Sequence, residues 1–133
     1  FDAGNDSEYL PHNYDKNCVV YTGTHDNPTS LEWLGTLNDY EKEFVGKYVH
    51  SDIYNPGGFV WDFIREAYRS VADLCIVPLQ DFLVKGEEAR INRPGSTAAN
   101  WQWRLEPHFL SHELAGSIYA LTETYGRLPK EEK

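Results

Sequence analysis

Two short apolar runs, separated by a long stretch of helical pattern, constrain the fold of this chain more than any other feature of its sequence. Cys18–Thr22 is a β-branched and aromatic run that ends at Gly23, and Leu74–Leu79 is a second apolar run. Each is typical of a strand buried on both faces. An order of strand, helices and strand predicts a βαβ crossover with two parallel strands.

Cap residues predict two helices between these strands. The first helix has two alternative starts: Asn27 capping with Pro28 at the first helical position, or Thr29 and Glu32 forming a capping box. We expect it to end near Leu37. A second cap at Asn38 predicts a helix to about Val49.

Breaks and apolar periodicity place the remaining segments. Asn55–Gly58 predicts a break, and helical spacing of apolar residues from Phe59 predicts the next helix. A last helix is expected from about Ser111 to Tyr125. Residues 1–17 and 85–107 are expected to be irregular, although the second of these carries Trp101 and Trp103.

Composition excludes several classes of function. The chain has 133 residues and a net charge of −9, which disfavours a nucleic-acid partner. It shows no membrane span and no export signal, and its two cysteines lie in apolar runs, so a cytoplasmic location is expected. Because it starts at Phe1 and contains no methionine, we expect it to be a piece of a longer protein.

The first candidate site is Thr24–Asn27, directly after the first predicted strand. His25, Asp26 and Asn27 would lie at the carboxyl end of that strand, where α/β folds build their sites. The alternative is that Asp26 and Asn27 only cap the next helix while His25 fills a polar pocket, and the residues alone favour this alternative.

The second candidate site lies after the second strand and comprises Gln80–Asp81, Arg90–Gly95 and Ala99–Arg104. Its amide, guanidinium and indole groups provide the hydrogen bonds and flat apolar surfaces that sugar rings require. The alternative is that the tryptophans pack under the loop and the arginines pair with carboxylates. His108 and His112 lack a third ligand at metal-site spacing, and nucleotide-binding and acyl-transfer motifs are missing.

Five ordered motifs carry a resemblance to a known family. They are Pro11-His12-Asn13-Tyr14, Val20-Tyr21-Thr22-Gly23-Thr24-His25-Asp26-Asn27, Val77-Pro78-Leu79-Gln80-Asp81, Arg90-Ile91-Asn92-Arg93-Pro94-Gly95 and Asn100-Trp101-Gln102-Trp103-Arg104. Together they resemble the carboxyl-terminal part of the 4-α-glucanotransferases, also called amylomaltases or disproportionating enzymes, which belong to glycoside hydrolase family 77 of the α-amylase clan.

The resemblance implies an α/β fold that is the carboxyl-terminal portion of a (β/α)₈ TIM barrel, mostly helical with two short parallel strands. Residues 1–17 would be a loop, residues 18–72 strand seven and its helices, and residues 73–133 strand eight, a substrate loop and the last helix. A whole barrel needs about 250 residues, so the chain would hold only the last two strand-helix units.

The resemblance also implies an activity and a set of site residues. The family transfers α-1,4-glucan segments between maltodextrins or starch-derived glucans with retention of configuration, and it needs no metal or organic cofactor. Asp26 matches its transition-state-stabilising carboxylate, and His25 matches a substrate-binding histidine. Asn92, Asn100 and Trp101 would line the glucan groove.

The nucleophile and the acid/base of the family lie on earlier strands, upstream of Phe1, so we expect the isolated chain to be inactive. A glucan-binding or interaction module without catalytic activity is the alternative. Strands cut from a closed barrel would expose edges and apolar faces, and therefore we expect self-association.

Overall fold

A computed structural model describes residues 4–130. Its regular elements are two strands and five α-helices. They are, in chain order, β1 (Val19–Tyr21), α1 (Ser30–Thr36), α2 (Asp39–Val49), α3 (Pro56–Arg69), β2 (Leu74–Ile76), α4 (Leu79–Phe82) and α5 (His112–Thr124). Short 3₁₀ turns at Pro11–Asn13, Glu87–Ala89 and Pro107–Phe109 interrupt the irregular segments. The chain is therefore mostly helical.

The two strands pair in parallel, as the order of apolar runs predicts. Val20 lies opposite Cys75, Val19 opposite Leu74 and Tyr21 opposite Ile76. Val20 is buried with Ala67 and Ala72 beneath the sheet. The expectation of burial on both faces is wrong within residues 4–130, because the alternate residues of both strands are 41–52% exposed. These residues are Val19, Tyr21, Leu74 and Ile76.

Side-chain caps fix where α1 and α2 begin. The hydroxyl of Thr29 accepts a hydrogen bond from the Glu32 main-chain N–H at 3.2 Å, so α1 starts at the second of its two predicted positions. The Glu32 carboxylate turns to arginines instead of closing a capping box. In α2, Asn38 and Glu41 form the full capping box.

The predicted break at Asn55–Gly58 is wrong, because these residues form the first turn of α3. Asn55 is the N-cap and accepts from the Gly58 main-chain N–H, and Pro56 occupies the first helical position. A Cβ at Gly58 would lie 2.6 Å from the Asn55 amide nitrogen. The glycine therefore lets the cap close tightly over the helix.

Helix α3 is the centre of the core. Phe59, Val60 and Ile64 are fully buried on its apolar face, as the helical spacing predicts. Helices α1, α2, α4 and α5 all contact α3, each contributing buried apolar residues such as Leu34, Val45, Phe82 and Leu121. This layer supports the sheet from one side and leaves its other face uncovered.

The last helix lies where the sequence predicts it, since α5 spans His112–Thr124. Helix α5 begins after Ser111, whose hydroxyl accepts from the Leu114 main-chain N–H.

The short helix α4 was not predicted, since four residues after Pro78 give no periodic signal. None of the helices found between residues 4 and 130 has the length and apolar character needed to cross a bilayer.

Candidate functional site

Polar segments follow both strands at the same end of the sheet. The loop 23–29 leaves β1, and Val77, Pro78 and α4 leave β2. A cleft of about 400 Å³ lies between them. Its lining includes Tyr21 and Ile76 from the exposed face of the sheet, together with His25, Gln80 and Arg90. The cleft thus joins an apolar floor to polar walls at the carboxyl ends of parallel strands, where α/β folds place their sites.

The structure brings Asp26 and Asn92 together, although they are far apart in sequence. The Asn92 amide donates to Asp26 Oδ1 at 2.7 Å. His25 Nε2 lies 3.4 Å from the same oxygen. The side chains of His25 and Asp26 are about half exposed, at 55% and 52%. The carboxylate is therefore oriented by a neutral donor and an imidazole while remaining open to solvent.

The interpretation of Asp26 and Asn27 as helix caps does not hold. Thr29 caps α1, and Asn27 instead accepts hydrogen bonds from Thr24, at 2.8 Å from its main-chain N–H and 2.9 Å from its hydroxyl. These bonds close a tight turn that displays His25 and Asp26. Local helix formation thus gives no reason for a carboxylate at position 26.

Trp101 provides an open aromatic surface beside His25. The two ring centroids are 5.1 Å apart, and Trp101 is 64% exposed, so it does not pack under the loop. Its main-chain N–H donates to Ile91 O at 2.7 Å, which fixes the residue against the segment that carries Asn92. Trp101 and Ala99 both have positive φ angles, of 61° and 59°, a conformation that costs energy for residues with a Cβ. The surrounding loop therefore holds the indole in place.

Asn100 serves the loop itself. Its Oδ1 accepts from the Arg93 main-chain N–H at 2.9 Å, and its amide nitrogen donates to Ser96 O at 3.1 Å. These bonds close the segment 93–100 beneath Trp101. The expectation that Asn100 contacts a sugar stays a prediction, whereas His25, Asp26, Asn92 and Trp101 form one contiguous group.

Two arginines and a glutamate lie behind this group. Arg90 and Arg93 both bond Glu32 Oε1, at 3.2 and 3.5 Å, and Arg93 also bonds Glu87 at 2.8 Å. The expected pairing of loop arginines with carboxylates is thus present. The Glu32 side chain is 16% exposed, so its partners lie partly out of water.

Asp81 is the most deeply buried polar group near the site. It is 1% exposed and accepts from the Thr22 hydroxyl at 2.6 Å. The second candidate stretch of the sequence includes Asp81, but nothing in the sequence predicted its deep burial or its bonds to the end of β1 and the start of α1. Glu32 was predicted only as part of a capping box, and nothing in the sequence predicted its bonds to Arg90 and Arg93.

The arrangement has the chemistry of a sugar-binding surface. A carboxylate can accept hydrogen bonds from hydroxyl groups, an imidazole can accept or donate them, and an exposed indole can pack against the apolar face of a pyranose ring. Among residues 4–130, no group of three His, Cys, Asp or Glu side chains is placed to hold a metal ion.

Comparison with known proteins shows the family of the chain. Residues 1–111 match the sequence model of the 4-alpha-glucanotransferase family. The chain is 48% identical over 130 residues to the 4-alpha-glucanotransferase of Clostridium butyricum, covering 96% of this chain and 26% of that protein. It is 41% identical to the 4-alpha-glucanotransferase of Thermus thermophilus, covering 96% of the chain and 27% of the relative.

A solved structure matches the fold as well. The amylomaltase from Streptococcus agalactiae in complex with acarbose superposes with a TM-score of 0.89 at 30% identity, covering 96% of this chain and 26% of that one. The chain belongs to the 4-alpha-glucanotransferase family. It spans about a quarter of the length of the curated relatives it matches.

Proposed function

We propose that this chain is the carboxyl-terminal part of a (β/α)₈ barrel in an enzyme that transfers α-1,4-glucan segments between maltodextrins. In this assignment residues 1–17 form a loop, residues 18–72 contain strand seven and its helices, and residues 73–133 contain strand eight, the substrate loop and the last helix; residues 1–3 and 131–133 lie outside the described residues. The parallel pairing of β1 with β2 supports the assignment, as does the position of the polar loops at the carboxyl ends of both strands.

The observation that carries the proposal is the contact between Asp26 and Asn92. The exposed Asp26 carboxylate is oriented by the Asn92 amide at 2.7 Å and has His25 beside it. It does not cap α1, so its oxygens are available to a ligand. Such a carboxylate is suited to bind sugar hydroxyls, and the indole of Trp101 supplies an adjacent apolar surface. Asp26 is then the group that stabilises the transition state.

The reaction assigned to the complete enzyme has two displacement steps. A carboxylate outside this chain attacks the anomeric carbon of the donor glucan, and the glycosidic C–O bond breaks as an acid/base residue protonates the leaving oxygen. The 4-hydroxyl of an acceptor glucan then attacks the same carbon. Its proton returns to the acid/base residue and the carboxylate leaves. Asp26 forms no covalent bond, and it strengthens its hydrogen bonds to sugar hydroxyls as positive charge develops on the ring.

A chimeric enzyme tests this proposal. The chain replaces the matching segment of the Clostridium butyricum relative, which is 48% identical, and glucose release from maltotriose is measured. We expect an active chimera, and Asp26→Asn should lower kcat about 100-fold or more, since hydrogen bonds that strengthen in the transition state are worth several kcal/mol. Asp15→Asn, at an exposed loop carboxylate, is the matched control. Equal activity of the two variants would overturn the role of Asp26.

The isolated chain gives a second test. We expect no disproportionation of maltotriose by the 133-residue polypeptide, because retention requires a nucleophile and an acid/base that we place outside it. Calorimetric titration with maltoheptaose separates the alternative of a binding module. Heat of binding that disappears in Trp101→Ala would favour that module, whereas no heat would count against it.

Self-association of the isolated chain follows from the uncovered face of the sheet. We propose that a second copy packs on the exposed apolar face of the sheet, which is formed by Val19, Tyr21, Leu74 and Ile76. Both strands of this two-stranded sheet are also edges, so they can pair with strands of the second copy. Light scattering should show dimers or larger species. Leu74→Lys should shift them toward monomer, whereas Leu110→Lys, at a residue 63% exposed away from the strands, should not. A monomer at all concentrations would contradict this.

The proposed location is the cytoplasm. Both cysteines, Cys18 and Cys75, are free, which suits a reducing compartment. Fractionation of the source cells with an antibody to the chain tests the location, and signal confined to an exported fraction would overturn it.

A further inference from the structure

The side chain of Arg90 bonds three segments of the chain at once. Its Nη2 donates to the main-chain oxygen of Asp26 at 3.1 Å, and its Nε donates to the main-chain oxygen of Asn92 at 3.0 Å. Its Nη1 donates to Glu32 Oε1 at 3.2 Å. The Arg90 side chain is only 15% exposed, and its bonds to Asn92 and Glu32 are partly buried, whereas its bond to Asp26 is exposed. One planar guanidinium therefore links the two residues whose side chains meet in the candidate site.

Asp26 and Asn92 both lie outside regular secondary structure. No helix or strand ladder sets the distance between their main chains, and their side chains are short. A shift of the loop 23–29 relative to the segment 90–93 would open the 2.7 Å contact between the Asn92 amide and Asp26 Oδ1. Arg90 holds both main chains from behind and thereby sets this spacing.

Glu32 anchors the guanidinium to a rigid element. It lies in the first turn of α1, and its Oε1 accepts from both Arg90 and Arg93. Its other carboxylate oxygen is buried with no hydrogen-bond partner among the described residues, so the two arginines hold this carboxylate. Glu32 thus fixes Arg90 to α1, the helix that follows the Asp26 loop.

We propose that Arg90 is a positioning residue for Asp26, fixing the carboxylate in register with the Asn92 amide for stabilisation of the transition state. The inference rests on the proposed function. It differs from a general stabilising role, because Arg90 acts on the main chains of the two residues whose side chains form the site. A lysine could keep the charge but could not bridge three acceptors in one plane.

Kinetics of the chimeric enzyme test the proposal. Arg90→Ala should lower kcat for maltotriose about 10- to 100-fold with little change in KM, since small misplacement of a catalytic group costs rate more than binding. Added guanidinium ion should restore part of the lost kcat, and Arg90→Lys should remain impaired. Arg65→Gln is the matched control, because it removes a half-exposed guanidinium of α3 whose ion pair is with Asp62 at 3.8 Å, outside the candidate site. Its kcat should stay within about threefold of the unsubstituted chimera.

A nuclear magnetic resonance measurement on the 133-residue chain needs no activity. When Asp26→Asn is introduced as the only substitution, the side-chain amide resonance of Asn92 should shift. That response should vanish in Arg90→Ala and persist in Arg65→Gln. A response that persists in Arg90→Ala, or is missing in the unsubstituted chain, would overturn the proposal.

The two proposals fail in different ways. An active chimera that loses activity with Asp26→Asn but retains it with Arg90→Ala would refute the role of Arg90 alone. Full activity of Asp26→Asn would refute the proposed function, whatever Arg90 does. Loss of kcat in Arg90→Ala that matches a fall in melting temperature and resists guanidinium would mean that Arg90 is only structural.

Discussion

The carboxylate of Asp81 accepts two hydrogen bonds from Ser30, one from its main-chain N–H at 2.8 Å and one from its hydroxyl at 2.7 Å. A third bond comes from Thr22 at the end of β1. Asp81 lies in α4, directly after β2. One buried carboxylate therefore ties the ends of both strands to the start of α1, and the loop that carries His25 and Asp26 spans the interval between Thr22 and Ser30.

Loss of the Asp81 carboxylate is expected to destabilise the chain strongly. Asp81→Ala leaves three donors without an acceptor, two of them on the buried Ser30 and one on the half-buried Thr22, which should lower the free energy of unfolding by about 3 kcal/mol or more. Urea denaturation followed by circular dichroism measures the change. Asp15→Ala, at an exposed loop carboxylate, should stay within about 0.5 kcal/mol of the unsubstituted chain. If the two variants were equally stable, the proposed tie between strand ends and α1 would be wrong.

The helices and strands could be predicted because their signals are local. The cap at Asn38 and the apolar spacing from Phe59 depend on neighbours within one or two turns, and both predictions hold. The break at Asn55–Gly58 was predicted wrongly because Asn-Pro-Gly-Gly favours a turn and a helix start equally well. Burial of Val19 and Tyr21 depends on what covers the far side of the sheet, which a local apolar run does not report.

The site was predictable only in part, for the same reason. Residue types marked His25 and Asp26 as a candidate site, since a polar cluster after a strand is visible in the sequence, but the residues alone favoured a capping role. The contact of Asp26 with Asn92 joins segments far apart in the chain, and the bonds of Arg90 to main-chain oxygens leave no trace in residue type. Resemblance to a family assigned Asn92 to the groove, whereas Arg90 and Asp81 stood in the second candidate stretch without a predicted supporting role.

Replacing Asn92 with a second carboxylate should make the activity of the chimeric enzyme depend on pH. In Asn92→Asp two carboxyl groups occupy a contact that is now 2.7 Å, and repulsion between like charges favours the state in which the two groups share one proton. At low pH one shared proton replaces the amide hydrogen bond. As pH rises that proton is lost, the carboxylates repel each other, and kcat for maltotriose should fall relative to the unsubstituted chimera.

Asn92→Ala is the comparison for this prediction. It removes the donor without adding charge, so its kcat should be lowered by a factor that varies little with pH. The pH profile of each variant is measured against that of the unsubstituted chimera. Parallel profiles for Asn92→Asp and Asn92→Ala would show that the residue 92 side chain does not face the Asp26 carboxylate.

Glu66 should make the stability of the folded chain depend on pH. Burial raises the pKa of its carboxyl above the ordinary value of 4.5, with Arg69 and His12 acting in the opposite direction. The folded chain thus binds this proton more tightly than the unfolded chain, so protonated Glu66 favours folding. That contribution is fully present below the ordinary value and is lost as pH rises through the raised pKa.

Glu66→Gln should therefore raise the urea midpoint at pH 7, and the gain should vanish toward pH 4. Glu43 provides a control of opposite sign, since a hydrogen bond from Lys47 lowers the pKa of its exposed carboxyl. Glu43→Gln should give no gain at pH 7. A Glu66→Gln midpoint at or below that of the unsubstituted chain at pH 7 would contradict the prediction.

Arg127 is expected to hold the end of the chain against the opposite end of the sheet. Its Nε donates to Tyr68 O at 2.8 Å, and its Nη2 donates to Ser70 O at 3.1 Å and Ala72 O at 3.0 Å. These carbonyls belong to the carboxyl end of α3 and the turn before β2, where a cation is favoured. The contact fixes the approach of α3 to the second strand.

Arg127→Ala should lower the free energy of unfolding by about 2 kcal/mol, because three carbonyl groups lose a charged donor. Arg127→Lys should recover only part of this, since one ammonium group cannot reach three acceptors in a fixed fork. Hydrogen exchange at β2 should quicken in both variants, most in Arg127→Ala. Arg104→Ala, at an exposed arginine of the long loop, should change the free energy of unfolding by less than about 0.5 kcal/mol. If Arg127→Ala and Arg104→Ala lowered the free energy of unfolding equally, water would satisfy the three carbonyl groups as well as Arg127 does. The packing of α3 against β2 would then not depend on Arg127.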